Sequence, residues 1–451
     1  MNAKTYTMAS QTRISIQGAM KLLLLTVLTF AGLAAGPVSA ASDDSYRDVV
    51  TDWNAAFVGS LVAPTEHGPR VPVRTLAIMH AAMFEAINGI ERKYQSLHMT
   101  DPAPPGADSE AAAIQAAYTV LSQLRGGANQ AAWDAQLAAS LTALPGIQGN
   151  SQAIARGRAW GDTVANAIIA WRASDGSTTV LPPFVGSTDA GYWRHAPLGA
   201  SPTAGYANLA TMPFLLSDPS VYDPGPPYGI ANRADALASA DYAADVNDVQ
   251  IRGGKTSAVR TAEQLDEALF NDACDVAGLN GLLRSLLHPK TRLVDNARTF
   301  ALFNMTAFDT TVVFFRAKYN HALWRPFQAI NFADEDNNPA TEQDAAWQSY
   351  LPTPPHPEYP SAHVTLFTSL LRVAALLEGD SGEVELTAAA SAFHPGGTRS
   401  YASLAAISDL AVQARVWIGF HFLQTGEVSQ VIGLAIGDDI VENYLQPLGT
   451  E

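Results

Sequence analysis

Residues 294–319 read VDNARTFALFNMTAFDTTVVFFRAKY, and this stretch decides the fold of the 451-residue chain. It contains no Pro or Gly, and its apolar side chains recur at spacings of three and four, as a core-facing helix requires. The same pattern recurs at residues 76–90, 111–124, 131–144, 153–171, 364–377, 401–420 and 428–444. Alternating patterns typical of strands are scarce, so we predict an all-α fold, a helical bundle with long Pro/Gly-rich loops.

Three segments interrupt this helical pattern. Residues 101–106 are Pro-rich, residues 181–229 contain many Pro, Gly and aromatic residues, and residues 331–357 are acidic and then Pro-rich. A loop as long as the second usually wraps a surface or shapes the approach to an active site.

The N-terminus has the features of a secretory signal. An apolar run at residues 22–35 precedes Val38-Ser39-Ala40, so we predict a signal peptide over residues 1–40 with cleavage before Ala41. The run is too short for a bilayer, which needs about 20 apolar residues. We therefore expect a secreted or periplasmic protein without a stable membrane anchor. We divide the remainder into an N-terminal helical part (41–285) and a C-terminal helical part that carries the site (286–451), together one compact unit.

Charge and cysteine content exclude several classes of protein. With 43 acidic against 27 basic residues, the net charge is −16, which disfavours nucleic acid and anionic membranes as partners. Any bound anion must therefore be held by a local cluster of basic residues. Cys274 is the only cysteine, so an intrachain disulfide is excluded. Since it lies in an apolar stretch, we predict a buried structural thiol and not a nucleophile.

The first candidate motif pairs two cations, Lys318 and Arg325, in KYNHALWRP. Seven residues span about two helical turns, so both side chains would lie on one side of a helix. Pro326 predicts that this helix ends at Arg325. Large apolar neighbours argue against a freely solvated basic face, which is the alternative.

The second and third motifs lie further along the chain. Ser361 precedes the predicted helix 364–377 and is a natural N-cap, beside His363, so the helix start could bind an anion or could be a plain cap. Arg415 and His421 are six residues apart, which on a regular helix separates their side chains by about 120°. Both could reach one anion only if Arg415 extends or the helix distorts near Gly419.

Together the three motifs supply two Arg, one Lys, a Ser hydroxyl, helix-start N–H groups and two His. A tetrahedral oxyanion suits this set, because the cations neutralise its charge and the hydroxyl and N–H groups donate hydrogen bonds. One His could bind the central atom, and the other could act as acid or base.

The sequence here resembles the vanadium-dependent haloperoxidases of the type-2 phosphatidic acid phosphatase superfamily. That family carries Lys-x6-Arg-Pro, Pro-Ser-Gly-His and Ser-Arg-x5-His in this order. Residues 74–89, 254–264 and the loop around Trp193 and Pro213-Phe214 are also similar, so the likeness covers most of the chain. It implies two packed four-helix bundles.

The resemblance also implies the roles of the site residues. The groups that would bind the equatorial oxygens of vanadate are Lys318, Arg325, Ser361, the Ala362 N–H and Arg415. His421 would be the axial ligand of vanadium, and His363 the acid–base group opposite it. Lys318 would also polarise peroxide. His356 lies five residues before Ser361, where the family has an aromatic residue or a His. Since His is found there among bromide-oxidising members, bromide or iodide is favoured over chloride.

The implied activity is a haloperoxidase that converts halide and hydrogen peroxide into hypohalous acid, with a small organic acceptor. A secreted acid phosphatase is the main alternative, because phosphate has the same shape and charge. His421 would then form a phosphohistidine intermediate. A non-catalytic oxyanion-binding protein is a third possibility, which the acid–base group His363 argues against. Members of the family often associate, so a homo-oligomer is among the implied partners.

Three residues depart from the family pattern. Ala362 replaces Gly but keeps a backbone N–H, and Ala414 replaces the Ser before Arg415. Thr425 stands where many members have Asp, four residues after the His, and could alter how His421 is oriented. Asp309 lies on the helix of Lys318, and either pairing with a cation or a surface or capping role is open.

Overall fold

The computed structural model describes residues 47–61, 70–144, 150–182, 184–194, 204–288, 291–380 and 382–449, which belong to one compact unit. The predicted signal peptide lies outside these residues, and the domain boundary at residue 285 stays a prediction. The described helices are α1 (Val49–Gly59), α2 (Arg70–Glu91), α3 (Ser109–Arg125), α4 (Gln130–Ala143), α5 (Ser151–Arg172), α6 (Arg233–Leu237), α7 (Ala240–Arg252), α8 (Ala262–Ala273), α9 (Val276–Leu286), α10 (Leu293–His321), α11 (Pro326–Asn331), α12 (Ala362–Glu378), α13 (Leu404–Trp417) and α14 (Leu423–Asn443). Short 3-10 helices are Gly127–Asn129, Tyr206–Ala210, Pro219–Tyr222, Pro227–Gly229 and Ala333–Glu335. The all-α prediction is confirmed.

The predicted helices are present, with one clear error of extent. The predicted helix 401–420 is too long at both ends. Its first residue belongs to a hairpin, and the helix ends at Trp417. Strand β1 (Val384–Ala388) pairs antiparallel with β2 (Gly397–Tyr401), and Ser403 then caps α13. The sequence pattern missed α1, α6 to α9 and α11, which have thirteen residues or fewer.

Helix α10 lies at the centre of the described structure. It packs against α2 on one side and α12 on another. Two groups of four packed helices share it, namely α2, α3, α5 and α10, and α10, α12, α13 and α14. Since α10 is buried along almost its whole length, its last turn carries Lys318 into the interior. None of the described helices has the length and apolar character needed to cross a membrane.

The close packing of α12 against α14 fixes the start of α12. A Cβ on Gly433 would lie 2.8 Å from the carbonyl oxygen of Thr365, so only Gly allows the two helices to approach this closely. One turn earlier on α14, the Ser429 hydroxyl accepts a hydrogen bond from the Ser361 N–H at 2.7 Å. Helix α14 thus holds the N-terminal end of α12 in place.

Cys274 is buried at the end of α8, 2% exposed, and its backbone N–H caps the helix by donating to the Phe270 carbonyl. Burial raises the pKa of its thiol, with the Asp275 charge adding to the effect. The prediction of a buried thiol is confirmed, and its structural role stays a prediction.

Candidate active site

Lys318 and Arg325 enter the protein interior from two different helices. Helix α10 ends at His321, where Ala322 turns the chain at φ 47°. Pro326 begins α11, and Arg325 is its N-cap with extended backbone angles. The prediction that one helix continues to Arg325 is wrong, because Pro326 starts a new helix and the left-handed turn at Ala322 precedes it. Both side chains are nevertheless 0% exposed.

These two buried cations are held by backbone carbonyls. The Lys318 ammonium donates to the carbonyls of Pro357 and Glu358, each at 3.0 Å. Arg325 donates from Nε to His356 O and from Nη1 to Phe420 O, both at 2.9 Å. Among the described residues, neither cation forms an ion pair. Burial lowers the pKa of Lys318 well below its usual value, and burial lowers the pKa of Arg325 to about 10.

His356 lies beside Arg325, which agrees with the prediction that it is close to the site. Its Nδ1 is 2.9 Å from Arg325 Nη2, and its ring meets Phe315 edge to face. Burial lowers the pKa of His356 well below its usual value, and the charges of Lys318 and Arg325 lower it further. It is therefore a neutral imidazole that accepts the Arg325 hydrogen bond.

The start of α12 is built as its sequence predicts. Ser361 is the N-cap, and its hydroxyl accepts a hydrogen bond from the Val364 N–H. Ala362 and His363 are the first two helical residues, so their backbone N–H groups belong to the helix end that has no intrahelical acceptor. The hydroxyl proton of Ser361 and these N–H groups are suited to an anion.

His363 is partly buried against its own helix. Its ring stacks on Phe367 with 4.0 Å between centroids. In the part of the chain that the structure describes, its Nε2 is buried without a hydrogen-bond partner. Burial lowers the pKa of His363 well below its usual value, and the Arg415 charge adds to this effect. The ring is therefore neutral and can accept a proton.

A glycine turn resolves the geometry of Arg415 and His421. Helix α13 ends at Trp417, and Gly419 adopts a left-handed conformation with φ 77°. The Gly419 N–H donates to Val416 O, and the Phe420 N–H donates to Arg415 O, which is the Schellman pattern of helix termination. The two side chains are therefore not on one regular helix. Of the two geometries left open by the sequence, an extended Arg415 or a helix distorted near Gly419, the structure has the second.

Arg415 is buried and paired. Its Nη1 donates to Asp272 Oδ1 at 2.7 Å, and its Nη2 donates to Asn271 Oδ1 at 3.3 Å. The Nε atom is buried without a partner among the described residues. Both partners lie in the last turn of α8, and nothing in the sequence pattern singled them out.

His421 has a defined neighbour on each ring nitrogen. Nδ1 lies 2.9 Å from Glu358 Oε1, and Nε2 lies 3.1 Å from Arg325 Nη1. Burial lowers the pKa of His421 well below its usual value, and the surrounding cations lower it further. Because a guanidinium only donates, Nε2 carries a lone pair and Nδ1 carries the proton.

Glu358 is a site residue that the sequence reasoning missed. It is 0% exposed, and its Oε2 accepts a hydrogen bond from Thr425 Oγ1 at 2.8 Å. Burial raises the pKa of Glu358 to about 7, although the Arg325 and Lys318 charges oppose this effect. An acidic residue inside the Pro-rich segment HPEYPSAH was the available signal.

Asp309 has a role that the sequence did not suggest. Its buried carboxylate accepts hydrogen bonds from the N–H groups of Phe214, Leu215 and Leu216 at 2.6, 2.7 and 3.0 Å. It therefore fastens the long loop to α10, which differs from both roles left open above.

The collected groups fit an oxyanion. Lys318, Arg325, His356 and His421 lie around the segment before α12, and the Arg415 charge acts on Arg325, His363 and His421. Of the three buried cations, Arg415 pairs with the Asp272 carboxylate, whereas the Glu358 carboxylate contacts the His421 ring. The partnerless Nε2 of His363 and Nε of Arg415 mark polar atoms that a further ligand would satisfy.

Comparison with known families identifies the part of the chain that carries these groups. Residues 298–449 match a family model described as the VCPO second helical-bundle domain. The matched residues include every predicted site residue. The resemblance to vanadium-dependent haloperoxidases that the motifs indicated is confirmed.

Solved structures share the fold over most of the chain. The first bacterial vanadium-dependent iodoperoxidase has a TM-score of 0.71 at 20% identity, over 89% of this chain and 96% of that chain. A holo-type bacterial vanadium-dependent chloroperoxidase gives 0.66 at 16% identity, over 89% and 98%. Its apo-type counterpart gives 0.65 at 15% identity, over 84% and 95%. These likenesses show that the shared fold extends beyond residues 298–449. No curated protein matches the chain.

Proposed function

We propose that the chain is a vanadate-dependent haloperoxidase, which oxidises halide with hydrogen peroxide to hypohalous acid. The observation that carries the proposal is the pair of fully buried cations, Lys318 and Arg325, without an ion pair among the described residues. The Glu358 carboxylate acts on both cations without contacting either. Leaving a buried cation without a directly contacting counter-charge is costly, and a bound oxyanion would offset that cost. The adjacent Nε2 of His421 has the lone pair that vanadium requires.

The chain's own residues then take separate tasks. Lys318, Arg325 and Arg415 neutralise the oxyanion, and Arg415 keeps part of its guanidinium on Asp272. The Ser361 hydroxyl and the Ala362 N–H would donate hydrogen bonds to the oxyanion, and His421 would offer Nε2 to vanadium. Bound vanadate would supply a Lewis-acid centre that activates peroxide toward a halide.

His363 is the group that moves a proton in this proposal. As a neutral imidazole it can accept a proton at its partnerless Nε2 and return it later in the cycle. Burial is the main cause of its lowered pKa, and an anion bound nearby would raise that pKa by opposing the second cause, the Arg415 charge.

We further propose that bromide or iodide is preferred to chloride, with a small organic molecule as the final acceptor. The support is the resemblance of His356 to the His of bromide-oxidising family members, together with its contact with the site residue Arg325. The measurement is kcat/KM for the three halides with the same protein, and the proposal fails if chloride has the highest value.

The function is tested by incubating purified protein with orthovanadate and measuring bromination and iodination of a dye with hydrogen peroxide. A parallel assay measures nitrophenyl phosphate hydrolysis without vanadate. We expect halogenation in the wild type, its loss in His421→Ala, and its retention in His98→Ala, which removes a stacked imidazole from another part of the chain. Phosphate hydrolysis without halogenation would establish the acid phosphatase instead.

A further inference from the structure

A buried carboxylate links the segment before α12 to the turn before α14. Glu358 Oε1 accepts hydrogen bonds from His421 Nδ1 at 2.9 Å and from the Phe422 N–H at 3.1 Å. Its other oxygen, Oε2, accepts one from Thr425 Oγ1 at 2.8 Å. These three donors come from five consecutive residues, so the carboxylate is tied to the chain that immediately follows the predicted vanadium ligand.

These contacts fix the protonation of the His421 ring. The proton on Nδ1 lies between the ring and Glu358, and the lone pair on Nε2 points toward Arg325. Without an acceptor at Glu358, no other contact of Nδ1 among the described residues would hold the proton there. The ring could then carry its proton on Nε2, the nitrogen that a vanadium bond needs free.

We propose that Glu358 is the positioning residue for His421, and that Thr425 holds the Glu358 carboxylate in place. Many family members have an Asp at the position of Thr425, on α14. In this chain, the carboxylate beside His421 comes instead from Glu358, in the segment before α12. As far as vanadate is concerned, this inference rests on the proposed function.

In its ionised form, the Glu358 carboxylate does more than accept a hydrogen bond. A carboxylate behind the ring makes Nε2 a better electron donor, as it does for histidine ligands of metals. A Gln at this position could accept the same two hydrogen bonds through its oxygen but would carry no charge. Glu358→Gln therefore tests charge, whereas Glu358→Ala tests the presence of an acceptor.

The decisive experiment relocates the carboxylate. The double variant Glu358→Ala/Thr425→Asp removes the carboxylate at position 358 and introduces one at position 425, four residues after His421. Position 425 lies in the first turn of α14, where a negative charge suits the helix end. Glu378→Gln is the matched control, because Glu378 also accepts a hydrogen bond from a Thr hydroxyl, at the far end of α12.

Two readouts are taken on each protein. Nitrogen-15 NMR of the vanadate-free protein reports which nitrogen of His421 carries the proton, and titration with orthovanadate reports affinity. We expect the Nδ1–H tautomer in the wild type and in the Glu378→Gln control. In Glu358→Ala the tautomer should no longer be fixed, and vanadate affinity should fall about 10- to 100-fold. The double variant should recover both.

Each result decides the inference. An unchanged tautomer and affinity in Glu358→Ala would overturn it, and so would a double variant that folds but recovers neither. If Glu358→Ala does not fold, Glu358→Gln and Thr425→Val replace it, and unchanged affinity in both would overturn the inference. If the wild type binds no vanadate, the proposed function fails, while the NMR readout still decides whether Glu358 sets the tautomer.

Discussion

The guanidinium of Arg325 lies against the ring of His421, with Nη1 3.1 Å from Nε2. A permanent donor therefore faces the one ring nitrogen that carries a lone pair. This relationship places a cation and the predicted vanadium ligand within reach of the same small anion. It also means that the anion would take over part of the contact that the two side chains make with each other.

Replacing Arg325 with Lys should weaken vanadate binding at least tenfold, or about 1.4 kcal/mol. Lysine keeps the charge but cannot contact His356, Phe420 and His421 through a planar fork. The measurement is vanadate titration by calorimetry. Arg292→Lys is the control, since that side chain is 57% exposed in an ion pair with Glu91. Equal affinities in the two variants would refute the assigned role.

Replacing His363 with Ala should lower kcat for halogenation by about 100- to 10,000-fold and change vanadate affinity little. The reason is that His363 is assigned to proton transfer and contributes no positive charge while neutral. Steady-state kinetics and titration on the same preparation separate the two effects. A large loss of affinity with unchanged kcat would instead assign His363 to binding.

Gly419 should be intolerant of a side chain. An Ala there would combine φ 77° with a Cβ only 2.5 Å from Gly253 O, so we expect a loss of about 2–4 kcal/mol in unfolding free energy. Gly225→Ala is the matched control, because Gly225 has φ 76° and open space around it. Urea unfolding measures both, and equal losses would show that the contact with Gly253 is unimportant.

This turn also shows where sequence reasoning stops. The spacing of Arg415 and His421 left two geometries open, because spacing alone does not reveal where a helix ends. Gly419 was named as the point of distortion, yet its close contact with Gly253 depends on segments far apart in the chain. The helices formed by the long apolar stretches, by contrast, were predicted correctly, because a spacing of three and four residues can be read from each stretch alone.

The same reasoning explains why Glu358 was missed while Ser361 was found. An N-cap is recognised from the residues that follow it, and Ser361 precedes a long apolar helix. The partner of Glu358 lies 63 positions away at His421, and no local pattern connects them. The partners of Arg415 on α8 were missed for the same reason.

Asp245 should make stability depend on pH. Burial raises its pKa to about 7 in the folded protein, with the Asp248 and Glu427 charges adding to the effect. Hydrogen bonds from Gln424 N–H and Tyr228 OH oppose that rise. Because an unfolded Asp has a pKa of about 3.9, the folded state binds the proton more tightly. The resulting stability is fully present below about pH 4 and is lost as pH rises toward 7.

Urea unfolding of the wild type and Asp245→Asn between pH 4 and pH 7 measures this effect. The wild type should lose unfolding free energy relative to the variant as pH rises, by up to about 1.4 kcal/mol per pH unit. Asp241→Asn, which alters an exposed carboxylate on the same helix, is the control and should run parallel to the wild type. Parallel curves for Asp245→Asn as well would contradict the prediction.

The central claim is that Lys318, Arg325, Arg415 and His421 surround one vanadate. A crystal structure of the protein grown with orthovanadate tests it most directly. The account predicts a single oxyanion whose vanadium is bonded to Nε2 of His421 and whose oxygens accept hydrogen bonds from the three cations. Vanadate bound elsewhere, or density at this position that makes no bond to His421, would contradict it.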